Sequence, residues 1–270
     1  MPELPEVETT VNKFKRRLSG RRISGFTASW PRQILPGIAQ VRRAVVGRKI
    51  KRISRRAKRI ILELDDQSCL TIHLGMSGSL EWGTGRSQKP RHLRAELLLD
   101  KNSRLFFCDA RKFGKIKHVE SLAEAHKNLG PEPLERGFTT DRLQKLLTSR
   151  SRQLKPLLLD QSVIAGLGNI YVDESLHRAG LHPMMSSSRL TRNQIRRLHS
   201  AIRAVLRRAI ELSGTSFDWA YPGGRMQTRL RVYGRTGEPC LRCRRPIRRI
   251  LVGQRSTHFC PACQPKGGRK

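Results

Sequence analysis

Hydrophobic positions change their spacing twice along this chain. Between residues 5 and 19, Val7, Val11, Phe14 and Leu18 recur on one helical face, with Pro5 suited to the first turn and Gly20 placed to close the end. From about residue 22 to 120 the apolar positions gather into short runs such as Ile60-Ile61-Leu62, Leu70-Thr71-Ile72 and Leu97-Leu98-Leu99. Asp100-Lys101-Asn102-Ser103 separates the last of these from Leu105-Phe106-Phe107 as a hairpin turn would. An all-β N-terminal domain, sandwich or barrel, is predicted. The turn-rich stretch Leu129-Gly130-Pro131-Glu132-Pro133 marks the domain boundary. Helical spacing then returns over 140–148, 169–179 and 192–213. In the last of these, Thr191 and Gln194 pair as a capping box, Ile195, Leu198, Ile202, Val205, Leu206 and Ala209 share a face, and Gly214 is the stop. Two short β runs, Leu230–Tyr233 and Ile247–Val252, lie around a cysteine cluster, and the basic tail Pro265–Lys270 is predicted to be disordered.

A length of 270 residues favours two domains over one. Charge changes the picture more: 55 Lys+Arg stand against 21 Asp+Glu, a formal +34. Self-repulsion of that size destabilises a compact chain, so a polyanionic partner is expected, with nucleic acid leading because its phosphates are closely spaced and release counterions. No run of eighteen apolar residues exists to span a membrane, and MPELPEVETT carries acidic residues where a secretory signal needs basic ones.

Of six cysteines, Cys240, Cys243, Cys260 and Cys263 form C-x2-C-x16-C-x2-C. Each CxxC turn can present two thiolates and the intervening hairpin can bring the pairs together, the pattern of a tetrahedral zinc site in a reducing compartment. A closed four-cysteine site leaves no open position for substrate, so one structural zinc ion is expected, with no catalytic metal. Cys69 and Cys108 lie on β-like runs, where a small buried hydrophobe is the expectation. Arg242, Arg244, Arg245, Arg248, Arg249 and Arg255 crowd the finger, which suits contact with DNA or RNA.

The chain resembles the formamidopyrimidine-DNA glycosylase family nearly end to end. The carrying motifs are MPELPEVE at 1–8, RRAK at 55–58, HLGMSGSL at 73–80, DARKFG at 109–114 and LGPEPL at 129–134, then KPLLLDQSVIAGLGNIYVDE at 155–174, VYGRTGEPC at 232–240 and QRSTHFCPAC at 254–263. The resemblance implies an α+β multidomain protein. Residues 1–130 would be a catalytic β-sandwich with a leading helix, 131–234 a helix-two-turn-helix domain, 235–264 the zinc finger with its β-hairpin and 265–270 a basic tail. It also implies double-stranded damaged DNA, held in a cleft, as the partner of a monomer, no membrane, and a cytoplasmic, nucleoid-associated place of work.

By the same resemblance, removal of Met1 leaves Pro2 with a free secondary amine. An α-amino group titrates near pH 8, so a useful fraction is nucleophilic at neutral pH. Attack on the sugar carbon expels the damaged base and leaves a Schiff-base link, an iminium that serves as the electron sink for β- and δ-elimination of the flanking phosphates. Glu3 is implied as general acid/base with Glu6 close by, Lys58 in β-elimination, and Arg255 in phosphate grip and δ-elimination. His92, Arg150, Lys155 and Asn169 match DNA-backbone contacts. Met76, Arg111 and Phe113 match the residues that fill the gap left by a flipped nucleotide, Arg111 facing the orphaned base. From local pattern alone, Glu3 and Glu6 are first-turn carboxylates complementing the helix dipole and Asn169 is a helix N-cap.

Ala110 and Lys112 stand where the family more often has Pro and Arg, both mild changes. The stretch Thr215–Thr228, with Asp218, Trp219 and Tyr221, is shorter than the lesion-capping loop of many members. The sequence therefore points to a bifunctional glycosylase/AP lyase for oxidised purines. The alternatives are an endonuclease VIII-like enzyme for oxidised pyrimidines, disfavoured by PELPEVE, Arg111 and Phe113, and a non-catalytic binder of damaged DNA, disfavoured by Pro2, Glu3 and Lys58.

Overall fold

The computed structural model describes residues 2–216 and 223–266. Met1, Asp218, Trp219, Tyr221 and the tail beyond Lys266 lie outside the described residues, and with them the expectations about Met1, the lesion-capping loop and the tail. The chain divides into two compact units. One runs to Lys127 and takes in Thr215, Ser216, Gly223 and Gly224 from later in the chain; the other holds Asn128–Gly214 and Arg225 onward.

In the first unit, α1 (Leu4–Leu18) precedes β1 (Ile23–Ala28), β2 (Ile34–Leu35), α2 (Ile38–Val45), β3 (Ile50–Arg56) and β4 (Arg59–Leu64). Then follow β5 (Cys69–His73), β6 (Gly78–Thr84), β7 (Leu93–Leu99), β8 (Ser103–Asp109), β9 (Lys115–Val119) and α3 (Leu122–His126). The strands form a four-stranded sheet in the order β1-β7-β8-β6 and a five-stranded sheet in the order β2-β9-β5-β4-β3. One apolar core joins them: Phe26, Leu97 and Phe107 from the first sheet meet Ile53, Leu62 and Ile72 from the second, and α1 adds Val7, Val11, Phe14 and Leu18. The α1 side chains lie 0–4% exposed, each worth about 1.5–3 kcal/mol of burial. Ile60-Ile61-Leu62 is apolar without alternation because both of its faces are covered. Ile60 and Leu62 face the main core, while Ile61 packs with Cys69, Val119 and Ala125 of α3.

Helices α4 (Thr140–Thr148), α5 (Leu154–Leu159), α6 (Asn169–Ala179) and α7 (Arg192–Glu211) make the second unit, with β10 (Arg248–Val252) and β11 (Arg255–Phe259) as its antiparallel hairpin. The capping box of Thr191 and Gln194 opens α7, and its expected apolar face is buried throughout. Leu230–Tyr233, expected as a strand, is not one. Its backbone N–H groups are taken by a carboxylate: Glu174 on α6 accepts from Arg231, Val232 and Tyr233 at 2.9–3.0 Å, leaving no ladder for a neighbouring strand. No helix among the described residues is long and apolar enough to cross a membrane.

Candidate active site

Glu3 enters α1 as its N-cap in extended conformation, and both it and Pro2 are buried. Glu3 donates its backbone N–H to Glu6 Oε2 at 2.8 Å, and the Glu6 N–H returns a bond to the Glu3 side chain, so two glutamates make the capping box. The other Glu6 oxygen accepts from the Thr215 N–H at 2.8 Å and from its hydroxyl at 3.2 Å. Both oxygens of Glu6 are thus engaged in holding the helix entry and Thr215, and Ser216 Oγ in turn accepts from Gly224 N–H at 2.7 Å. Glu6 ties down the start of the segment expected to cap the lesion, and Glu3, next to Pro2 in the chain, accepts the Glu6 N–H.

Lys58 sits in the two-residue turn between β3 and β4, with Ala57 at φ 54. Arg55 clamps this turn to α1, donating to Glu8 at 2.6 Å and to the Ala57 carbonyl at 3.0 Å. Lys58 is 8% exposed and, with Arg59, faces His73. Burial first, and these two cations second, push the His73 pKa down from 6.5 to about 4. Its neutral Nδ1 accepts the Gly75 N–H at 3.1 Å. Because the folded pKa is depressed, the stabilisation is complete above pH 6.5 and drains away as pH falls towards 4, at a cost of about 3 kcal/mol. Thermal melts from pH 7 to 4 should show this loss, and His73→Gln, which keeps an acceptor but does not titrate, should flatten it.

Met76, Arg111 and Phe113 come from two loops that one buried carboxylate joins. Asp109, fully buried, accepts from Ser77 Oγ at 2.6 Å through one oxygen, and from Gln33 Nε2 at 2.8 Å and the Gly114 N–H at 2.7 Å through the other. Ser77 Oγ also accepts the Arg111 N–H at 3.0 Å. The loops touch at Gly75, whose φ is +65 and where a Cβ would lie 2.6 Å from Gly114 N; no other residue fits. Phe113 is left 54% exposed with the Arg111 guanidinium 5.2 Å from its ring centre. His92, at φ 60, joins the same loop through its carbonyl, which accepts the Asp109 N–H at 2.9 Å. Lys112, one of the two departures, places its ammonium 3.8 Å from the Trp30 ring centre, so the change keeps a cation there. Asp109→Ala strands several buried donors and should cost about 3 kcal/mol in a urea melt.

In the second unit Lys155 and Asn169 meet at the carbonyl of Ser256, the residue next to Arg255 in the chain, while the Arg150 guanidinium donates to the Leu146 carbonyl at the end of α4, 3.1 Å away. Lys155, expected on the DNA backbone, has no exposed side-chain surface: its Nζ lies 2.6 Å from Asp173 and 2.9 Å from the Ser256 carbonyl. The same carbonyl accepts from Asn169 Nδ2 at 2.9 Å. Arg255 is exposed, just past the hairpin turn Gly253-Gln254.

The four finger cysteines have their sulfur atoms within 4.8 Å of one another, with Cys240–Cys263 at 3.9 Å and Cys243–Cys260 at 3.4 Å. Zinc–thiolate bonds in a tetrahedron place sulfurs roughly 3.8 Å apart, so the set fits one structural zinc ion. Backbone N–H groups of Arg242 and Cys263 point at Cys240 and Cys260 sulfur, each at 3.4 Å, as thiolate ligands require. Cys69 and Cys108 are buried, their thiols pushed up by burial to about 11 and about 12, which makes them inert.

Three family models match the chain in succession. Residues 1–116 match the sequence model of the formamidopyrimidine-DNA glycosylase N-terminal domain, 129–220 that of its H2TH domain, and 237–266 a zinc finger found in FPG and IleRS. A formamidopyrimidine-DNA glycosylase of Chloroflexus aurantiacus is 44% identical over 98% of both chains, and one of Lactococcus lactis is 38% identical over 98% of this chain and 100% of its own. The chain belongs to the formamidopyrimidine-DNA glycosylase family. Its fold agrees: MutM bound to DNA containing carbocyclic 8-oxo-G superposes at TM-score 0.92 with 38% identity, covering 98% of this chain and 100% of that one. The Lactococcus lactis enzyme with N7-benzyl-Fapy-dG DNA does so equally, at 0.92, 38%, 98% and 100%. Within this formamidopyrimidine-DNA glycosylase fold, sequence reasoning passed over Asp109, Asp173, Glu174, Thr215 and Ser256. A signal existed for the first three. In so basic a chain, a carboxylate inside an apolar helix or at a strand end is there to hold something.

Proposed function

We propose that this protein is a bifunctional DNA glycosylase/AP lyase that excises oxidised purines from duplex DNA, with Pro2 as nucleophile once Met1 is removed. The arrangement that carries the reading is a buried Pro2 and Glu3 in the same unit as Lys58 and a loop pair presenting Met76, Arg111 and exposed Phe113. Pro2 attacks the sugar carbon bearing the damaged base, and Glu3 moves protons at the sugar ring oxygen and the leaving base. Lys58 then assists β-elimination. Extruding a nucleotide costs a few kcal/mol of stacking, which Met76 and Phe113 offset by filling the gap, while Arg111 faces the orphaned base and favours cytosine.

Arg255 grips a flanking phosphate and serves δ-elimination; Asn169, Arg150 and His92 steady the backbone. Bound zinc supplies no step of the reaction; it gives the finger its fold. The solved relatives named above, MutM with carbocyclic 8-oxo-G DNA and the Lactococcus lactis enzyme with N7-benzyl-Fapy-dG DNA, support the purine preference. The protein works as a monomer on nucleoid DNA.

Incubation with duplexes carrying 8-oxoguanine, a formamidopyrimidine or an oxidised pyrimidine, with borohydride present, tests the reading. A covalent adduct is expected with the purine lesions first. Adducts formed faster on oxidised pyrimidines would overturn the substrate assignment, and no adduct on any lesion would overturn the mechanism.

A further inference from the structure

Two consecutive carboxylates on α6, Asp173 and Glu174, are 1% and 3% exposed and both hold the finger. Glu174 takes the amides of residues 231–233 that lead into it. Asp173 works on the hairpin itself. Its Oδ2 accepts the His258 N–H at 2.8 Å, and its Oδ1 meets Lys155 Nζ at 2.6 Å. Lys155 passes the hold on to the Ser256 carbonyl at 2.9 Å, and Asn169 takes that carbonyl at 2.9 Å as well.

The geometry of a hairpin explains why these backbone groups are available. Val252 and Arg255 are paired across a two-residue turn, with Gly253 at φ 55 and Gln254 at φ 60. Arg255, Thr257 and Phe259 therefore bond to β10, while Ser256 and His258 turn their backbone groups to the outer edge of a two-stranded sheet. That edge would otherwise lack partners, and Asp173, Lys155 and Asn169 take the place of a third strand. The turn is seated too, since a Cβ on Gly253 would come 2.9 Å from Pro156 Cγ in α5. Arg255 stands between the seated turn and the clamped edge.

We infer that Asp173 is a positioning residue for Arg255: by neutralising Lys155 and taking the His258 amide it fixes the outer edge of β11, and with it the place where the guanidinium meets phosphate. Lys155 then serves DNA through the Ser256 carbonyl rather than by its own charge, which Asp173 cancels. The inference rests on the reading of Arg255 given above.

The test uses the zinc-loaded full chain and an abasic-site duplex. It compares Asp173→Asn, Arg255→Ala and their combination for zinc content, the dependence of Kd on salt, and hydrogen exchange at residues 256–259. Arg255→Ala should lower the slope of log K against log salt by about 0.9, one phosphate. Asp173→Asn should do the same with zinc retained, the combination should go no further than Arg255→Ala alone, and the His258 amide should exchange at least about tenfold faster. Additive losses, or a wild-type slope in Asp173→Asn, would overturn the inference. If Asp173→Asn loses zinc, the paired replacement Lys155→Met with Asp173→Leu removes both buried charges without stranding either, and the same comparison decides. Should Arg255→Ala leave the slope unchanged, the assignment of Arg255 falls instead. Exchange at His258 then still decides whether the clamp exists: faster in Asp173→Asn sustains it, unchanged sinks it.

Discussion

Replacing Pro2 with glycine should lower lesion excision and adduct trapping by roughly a thousandfold or more. Glycine keeps a terminal amine, so the loss has to come from what the ring supplies. A secondary amine gives an iminium that is charged without taking up a proton, and the ring fixes the direction of the nitrogen ahead of the buried Glu3. The measurement is a borohydride-trapping time course on an 8-oxoguanine duplex, with the N-terminus of each protein verified by mass spectrometry. Trapping of Pro2→Gly at the wild-type rate would remove Pro2 from the mechanism. The same mass measurement covers Met1. A chain that retains it carries Pro2 nitrogen as an amide, without a free lone pair, and should form no adduct.

Loss of zinc should also be damaging, by a different route. The finger's own core is little more than Val232, Ile247 and the cysteines. So few apolar groups cannot offset the entropy of ordering the segment. Structural zinc binding to such modules is worth about 10–16 kcal/mol, enough to decide whether this one folds. Cys260→Ser, or strong chelation, should release the metal, collapse hydrogen-exchange protection over residues 240–263, and weaken binding to a lesion duplex at least about a hundredfold. Most of the helical circular dichroism should remain, because the long helix α7 packs on α6 and α4 rather than on the hairpin. Tight binding by the zinc-free protein would show that Arg255 and its neighbours are not needed for grip.

Much of this was legible before any coordinates, for physical reasons that can be named. Helix α1 and helix α7 declare themselves because a 3.6-residue spacing of apolar groups has one stable solution, and the ends carry their own caps. The cysteine spacing declares the metal because ligand number and turn geometry are local. The residues expected at the lesion were legible through motif resemblance, not through their local chemistry. Leu230–Tyr233 misled for the converse reason: its local pattern suits a strand, but the partner of its N–H groups is Glu174, more than fifty residues away.

The sequence by itself determined the class of protein, the sandwich with its leading helix, the zinc site and the set of residues that resemble the family's. The tertiary structure alone decided how those residues are held. Only the fold shows that Glu6 spends both oxygens on Glu3 and Thr215, that Asp109 binds two loops into one wedge, and that Lys155 is enclosed by Asp173 and the Ser256 carbonyl. A charged side chain reads from sequence as something offered to solvent or to DNA. Whether it is offered or buried depends on which distant donors and acceptors the fold brings within 3 Å of it, and no local pattern records that.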